Sequence, residues 1–361
     1  MSILNNINII SDIINYMRIL LVTSLPPPRA GMSLQGQYIL NILRDLGHKV
    51  RVFKINHRYI VKVVLAILLP VIIPIMGFLT NRVVIFSGST GSFYFYTLPI
   101  LIYSRLTGKP SILFFKGGII EKYLKRFPII RHIFKLADRV VVPGNFLKDV
   151  LSKYGILSSI MPDIIDTTHL TINKNFKEGA YFLITRSLNP TYQIDFAIKA
   201  FHKVKHKLEG KKLIITGDGP ERKNVEGLIR ELELEDDVIL RGECNADEIG
   251  ELLSNAFALL NTSYYDNYPN SILEAFYTRV PVLTTNAGGI PYIVNDRING
   301  FIINKGDTYQ MAKEIMKMVK NKDQIENIVD NAKNDFERLT LTYKHKNTST
   351  IINKLILHGR L

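Results

Sequence analysis

The chain has 361 residues, 47% of them hydrophobic and 22% charged, which is too many for one core and fits two globular domains rather than a disordered polymer. Its single cysteine, Cys244, excludes an intramolecular disulfide and a cysteine-rich metal site, and suits a reducing compartment, on the plain reading the cytoplasm, or a chain indifferent to redox state. Forty-six Lys and Arg against 32 Asp and Glu leave a net charge of +14, which favours anionic partners without choosing among nucleotide phosphates, nucleic acid and acidic lipid headgroups.

The first sixteen residues carry neither a basic start nor a small-residue cleavage site, so they do not read as a signal peptide. Met17 is expected as the initiator, because Met17 to Thr23 opens like a buried parallel strand. Strand-like apolar runs continue at Val50 to Phe53, Val83 to Phe86, Ile112 to Phe115 and Val140 to Val142, alternating with helix-period segments as in parallel sheets wrapped by helices. Gly47 and Gly155 stand just past two of these helices, where C-terminal caps belong. Val63 to Leu79 is a run of seventeen residues without a charge, interrupted by Pro70 and Pro74. It fits either a buried helix and loop of the first domain or a surface dipping into a membrane, whereas a true span would split the first sheet. Phe93 to Tyr103 is also apolar and aromatic. Lys54, Arg58, Lys62, Arg82, Lys122, Lys125, Arg126 and Arg131 flank these stretches, as suits a domain leaning on an anionic leaflet. The polar stretch Asp166 to Gly179 lacks apolar periodicity and is read as the interdomain linker. A second strand series then runs through Phe182 to Thr185, Leu213 to Thr216, Val238 to Leu240, Ala258 to Leu260, Val282 to Thr284 and Phe301 to Ile303.

Four turns at strand ends carry candidate chemistry. Ser24 to Met32 is a Pro/Gly turn around Gly31 leading into a helix, whose free N–H groups and dipole suit an anion, although most such turns bind nothing. Gly217, Asp218 and Gly219 follow the strand ending at Thr216, and a bare structural turn would look much the same. Between Tyr264 and Ala275, Asn270 or Ser271 can cap a helix, which places Glu274 in its first turn and Asp266 on the loop before it. Glu274 then fits a catalytic acid or a plain cap partner. Gly288 and Gly289 form a further glycine turn, at a strand end where open parallel sheets bind ligands.

In this order and spacing, the elements resemble glycosyltransferase family 4, retaining enzymes of the GT-B fold, from Met17 to about Asn347. The most specific parts are Ile215 to Pro220, the Asp266 and Glu274 pair with seven residues between, and Pro281 to Val294. The resemblance implies an α/β protein of two Rossmann-like, doubly wound parallel-sheet domains facing across a cleft. Residues 1–166 would form the acceptor-binding domain, with 341–361 packing back on it, and 167–340 the nucleotide-sugar-binding domain. Glu274 matches the family acid that binds the donor ribose, Asp266 the acid near the sugar hydroxyls, and Arg186 the basic residue that grips the diphosphate. Arg241, Gly242, Asn270, Ser271, Gly288, Gly289, Gly31 and the Gly217 to Gly219 turn would line the donor site. Three departures stand out: Asp266 replaces the usual Glu, the lysine usually found shortly after Arg186 is absent, and Lys116 occupies the place of a His-Gly pair. Lys116 fits a cation meeting donor phosphate or an anionic acceptor, and fits equally a surface lysine at a strand end.

The chemistry implied is front-face sugar transfer with retention. Arg186, helix amides near Gly288 and Gly289, and the Gly31 loop would stabilise the leaving diphosphate without a metal or other cofactor, since no histidine cluster has ligand spacing. The acceptor would be a saccharide or lipid-linked saccharide, in cell-envelope or capsular polysaccharide synthesis. The setting would be cytoplasmic, with peripheral contact at the inner face of an anionic membrane. Two alternatives remain open, a sugar-nucleotide epimerase on the same fold and a non-catalytic sugar-nucleotide-binding subunit. Nucleic-acid binding would explain the charge but not the acid pair.

Overall fold

In a computed structural model that describes residues 17–27, 31–55, 68–69, 71–88 and 93–358, the apolar runs of the first half become β1 (Arg18–Thr23), β2 (Lys49–Lys54), β3 (Arg82–Ser87), β4 (Ser111–Phe115) and β5 (Arg139–Val142). A short sixth strand, β6 (Ser159–Ile160), completes a parallel sheet of order β2-β1-β3-β4-β5-β6. β1, β3, β4 and β5 are legible as buried strands, with Ile19, Leu20, Leu21 and Val22 fully buried and every residue of β4 likewise, whereas the edge strand β2 shows as an alternation of Val50, Val52 and charged residues with only Phe53 buried. β6 has two half-buried residues at an edge and leaves no periodic trace. β7 (Ile164–Ile165) lies where the chain passes from the first compact unit, 1–164 with 343–361, to the second, 165–342.

The second unit repeats the plan with β8 (Tyr181–Thr185), β9 (Lys212–Thr216), β10 (Val238–Gly242), β11 (Ala256–Asn261), β12 (Val282–Thr285) and β13 (Phe301–Ile303). Its parallel order is β10-β9-β8-β11-β12-β13. In each sheet the order reverses beside the unit's first strand, at β1 between β2 and β3 and at β8 between β9 and β11. Loops leaving the carboxyl ends of strands diverge at such a point and open a crevice for ligands.

Helix ends follow the local chemistry. The helix Gly31–Asp45 lies against the end of β1, and Gly36 permits this, since a Cβ there would stand 2.6 Å from the Ser24 carbonyl oxygen. Gly47 and Gly155 adopt φ of +83° and +69° just past their helices, a region that costs other residues about 1–2 kcal/mol. The C-terminal helix Lys346–His358 packs on the first unit through Asn353, whose Oδ1 lies 3.1 Å from His48 Nε2, and through Arg82, which donates to the Leu357 carbonyl at 3.3 Å.

Two expectations need correction. Residues 166–179 are a strap on the second unit rather than a free linker. Leu170 and Phe176 enter its cores, and the buried Asn173 donates to the Ala256 carbonyl at 3.0 Å and receives the Asn175 amide at 3.1 Å. An irregular backbone satisfied by side chains has no period to read. In the uncharged run from 63 to 79, residues 63–67 and 70 lie outside the described residues. Residues 71–77 are helical, with Ile73 in the first core and Val71 and Ile75 exposed, so this part is neither wholly buried nor a span. Among the described residues no helix is long and apolar enough to cross a membrane.

Candidate active site

Arg186 is the first residue beyond β8, at the switch point of the second sheet. β11 is apolar until Asn261, and the chain then continues through Thr262 and Ser263, all three buried. These polar groups hold one another: the Ser263 hydroxyl lies 2.7 Å from Asn261 Oδ1 and 3.2 Å from Asp266 Oδ2, and Thr262 donates to the Tyr192 carbonyl at 2.7 Å. Asp266 forms an ion pair with Arg186 in which both side chains are largely buried, and accepts the Asn267 amide at 2.8 Å. The Arg186 guanidinium also stacks on Tyr192, 4.5 Å from the ring centroid. A buried guanidinium held by a carboxylate and an aromatic face is pre-oriented, and it keeps its charge although burial pulls its pKa down, a fall that the neighbouring Tyr192 and Glu274 side chains oppose.

Glu274 belongs to the helix Asn270–Thr278, whose N-cap is Pro269. Neither Asn270 nor Ser271 caps it, contrary to expectation, because both already lie inside the helix. Glu274 therefore stands just past the first turn, too far along to be a cap partner. Burial pushes its carboxyl up to about 7, against the opposing pull of the Arg186 charge. Arg186 is thus the cation common to both acids. In the same unit, Arg186 Nε, Asn261 Nδ2, Asn270 Oδ1, Ser271 Oγ and Thr284 Oγ1 are buried without a hydrogen-bond partner among the described residues. Buried polar atoms are nearly always paired, and these five of the ten unpaired ones among the described residues lie at strand ends and one helix start of the second unit, with Asn261 opposite Thr284 in the ladder.

The glycines act through the backbone. Gly288 has φ +52°, and a Cβ there would strike the Asp266 carbonyl oxygen, so only glycine lets the β12 turn close on the Asp266 loop. The Gly289 amide donates to that same carbonyl at 2.9 Å, and only a single 3-10 turn, Ile290–Tyr292, follows. The Gly289 N–H is therefore already spent within the protein. Gly217, at φ +96°, and Gly219 would clash with the Arg186 and Leu188 carbonyls if they carried a Cβ, so this turn sets the height of the Arg186 loop. Asp218 accepts the Gly219 amide at 2.7 Å. Arg241 is exposed at the end of β10, and the carbonyl of Gly242 receives the Gly217 amide at 2.6 Å.

Two candidates belong to the first unit. Lys116, following β4, makes a buried ion pair with Asp163, so it is neither a surface lysine nor a free cation. Gly31 opens its helix with space around its Cα, while residues 28–30 of the turn lie outside the described residues. Sequence reasoning missed Tyr192, Ser263 and Asn261. The polar run closing an otherwise apolar strand was the available signal for the latter two; nothing local marks Tyr192. Among the described residues no group of three or more His, Cys, Asp or Glu is placed to hold a metal ion.

Two parallel six-stranded sheets of this order define the GT-B glycosyltransferase fold, and the chain matches solved structures of that kind over almost its whole length. Sucrose-phosphate synthase from Thermosynechococcus elongatus superposes with a TM-score of 0.77 at 15% identity, covering 94% of this chain and 98% of that one. Anabaena HepE in complex with UDP and glucose gives 0.73 at 17% identity, covering 95% and 99%. Residues 167–335, nearly the whole second unit and all of the Arg186 site, match the family described as Glycosyl transferases group 1. N-acetyl-alpha-D-glucosaminyl L-malate synthase of Bacillus anthracis is 27% identical over 187 residues, 52% of this chain and 48% of that protein. Poly(ribitol-phosphate) alpha-N-acetylglucosaminyltransferase of Staphylococcus aureus is 27% identical over 133 residues, 37% and 27% of the two chains. These matches span less than half the length of the curated relatives.

Proposed function

We infer that the protein is a retaining, metal-independent glycosyltransferase of family 4 that moves a sugar from a nucleotide-sugar donor to a saccharide or lipid-linked saccharide in cell-envelope or capsular polysaccharide synthesis. The observation carrying this reading is the buried Arg186 set between Asp266 and Glu274 at the switch point, within the segment matched by the glycosyltransferase family. A uridine diphosphate sugar is the first donor to try, because HepE was solved with UDP and with UDP-glucose. A carboxyl near neutrality such as Glu274 accepts the two ribose hydroxyls best when ionised, so donor binding pulls its proton off. Arg186 gives fixed donors to the diphosphate, and its hold strengthens as negative charge grows on the leaving oxygen. That oxygen then takes the acceptor proton as the acceptor hydroxyl attacks from the same face. Asp266 both orients Arg186 and meets the sugar. The lipid-linked acceptor matches a cytoplasmic enzyme working in peripheral contact with the inner face of a membrane.

The test is incubation of radiolabelled UDP-glucose and UDP-N-acetylglucosamine with saccharide and membrane-lipid acceptors, followed by assignment of the product anomer. Wild type should transfer with retention in the presence of EDTA, and Arg186→Ala should lose at least about a hundredfold in kcat, the scale of removing one transition-state donor. Release of free sugar would favour the epimerase, and tight donor binding without turnover the non-catalytic subunit; either outcome refutes the reading.

A further inference from the structure

The positive charge of this protein is concentrated. Between Leu46 and Ala137 stand fourteen Lys and Arg and one acid, Glu121, so about a quarter of the chain carries thirteen of the fourteen net charges. The same quarter exposes the most apolar surface of the first unit. Residues 71–77 form a helix that is apolar all round: Leu69 and Ile73 enter the core, while Val71, Ile75 and Phe78 face solvent, Phe78 at 78% exposure. An ordinary surface helix presents polar residues there, and one apolar on every side belongs in a core or against lipid. Its neighbour Leu98–Leu106 is apolar apart from the buried Ser104 and the exposed Arg105. Ile100 and Leu101 are buried, while Ile102, Leu106 at 82% and, in the preceding turn, Phe95 are exposed. The two helices touch where Gly77 meets the Tyr103 ring, which leaves no room for a Cβ.

This surface is held in place rather than frayed. At the carboxyl end of the first helix Arg51 donates to the Met76 carbonyl at 3.1 Å, and Lys109 donates to the Gly77 carbonyl at 2.6 Å. Thr80 adds a hydroxyl bond to the same Gly77 carbonyl at 2.7 Å. Cations at a helix C-terminus oppose the dipole and satisfy its last carbonyls, so Phe78 and Leu79 project from a fixed turn. Exposed basic side chains lie in the same stretch of chain. The helix Ile130–Phe134 joins this region through the Phe93 and Phe134 rings, 5.1 Å apart, and it and the helix before it carry exposed Lys122, Lys125, Arg126 and Arg131.

We propose that the two apolar stripes are a membrane-docking face: Ile75, Phe78 and Leu106 enter the acyl boundary of an anionic leaflet, and the basic side chains engage its headgroups. Contiguous exposed apolar surface is unfavourable in water, and paired with a field of one sign its complement is a negatively charged interface with an apolar interior. A second copy of this chain would bring like charge against like charge. The inference deepens the peripheral membrane contact of the proposed function and rests on that part of it alone, because docking needs neither donor nor acceptor.

Flotation of the full chain with phosphatidylglycerol–phosphatidylcholine and pure phosphatidylcholine vesicles tests it, at about 0.1 M and about 1 M salt, where the Debye length falls from about 10 Å to about 3 Å. Wild type should float with anionic vesicles at low salt, at least tenfold better than with neutral ones or at high salt. Ile75→Ser/Phe78→Ser and Leu106→Ser should each lose about tenfold or more with unchanged Tm, since these side chains are exposed in the free protein. Lys125→Glu/Arg126→Glu should lose only the anionic preference. Negligible recovery throughout, recovery indifferent to the serine variants, or concentration-dependent dimerisation abolished by them would overturn the proposal.

Discussion

Replacing Glu274 by Gln removes a carboxyl that burial raises from 4.5 to about 7, and so removes one source of pH dependence from the folding equilibrium. Between those two values the native state holds a proton that the unfolded chain has released. Stability from this group is therefore complete below about 4.5, falls as pH rises, and is lost above about 7. At about 1.4 kcal/mol for each unit of separation the swing is at most about 3 kcal/mol, reduced by whatever water reaches the half-buried side chain. Gln fills the same space without ionising, so the variant should gain on wild type across the window and be the more stable protein at pH 8. Urea denaturation of both proteins at half-unit intervals from pH 5 to 8.5 measures the difference directly, and every other titrating group cancels in it. Parallel stability curves would refute the argument, because they would mean that Glu274 ionises as freely in the folded protein as in water. The same variant should cut sugar transfer by orders of magnitude, and in wild type donor binding at pH 6 should release a proton that the variant does not.

Gly288→Ala should cost at least about 1–3 kcal/mol through its left-handed backbone, and more because its Cβ meets the Asp266 carbonyl, whereas Gly306→Ala, at φ +78° with open space around it, should show the backbone cost alone. Thermal melts of the two variants test the difference, and equal losses would mean that the Asp266 loop is free to move away. Lys116→Met leaves the buried Asp163 carboxylate unpaired and should destabilise by about 3–5 kcal/mol, while Lys116→Met/Asp163→Leu should recover most of that. If Lys116→Met melted like wild type yet lost transfer, the lysine would belong to the chemistry and not to the fold. Thermal shift against UDP, ADP and GDP should single out one base, with about 2.7 kcal/mol of stabilisation at a hundred times the dissociation constant; no shift with any of them would count against a nucleotide site in the second unit.

Most strands were legible in the sequence because a parallel strand covered on both faces must be apolar along its whole length; the edge strands β2 and β10, less buried, still kept short apolar runs, and all eleven runs lie where the two sheets have their strands. Glycine caps such as Gly47 and Gly155 were legible too, since the left-handed turn they make is a property of one residue and its neighbours. Arg186, Asp266 and Glu274 could be named from their places after strands, but their arrangement could not. That Arg186 pairs with Asp266, stacks on Tyr192 and feels the charge of Glu274 depends on how the loops after β8 and β11 meet, across 80 residues of chain. Lys116 has the same history: its reading as a surface residue or a site cation turned on Asp163, 47 residues away. The strap 166–179 and the helix 71–77 failed in opposite directions. One is polar yet anchored on its unit through Leu170, Asn173 and Phe176; the other is apolar yet half exposed. Periodicity records which residues avoid water on average along a single element. Which side of that element meets another, and which charge meets its partner, is decided only when distant segments are brought together.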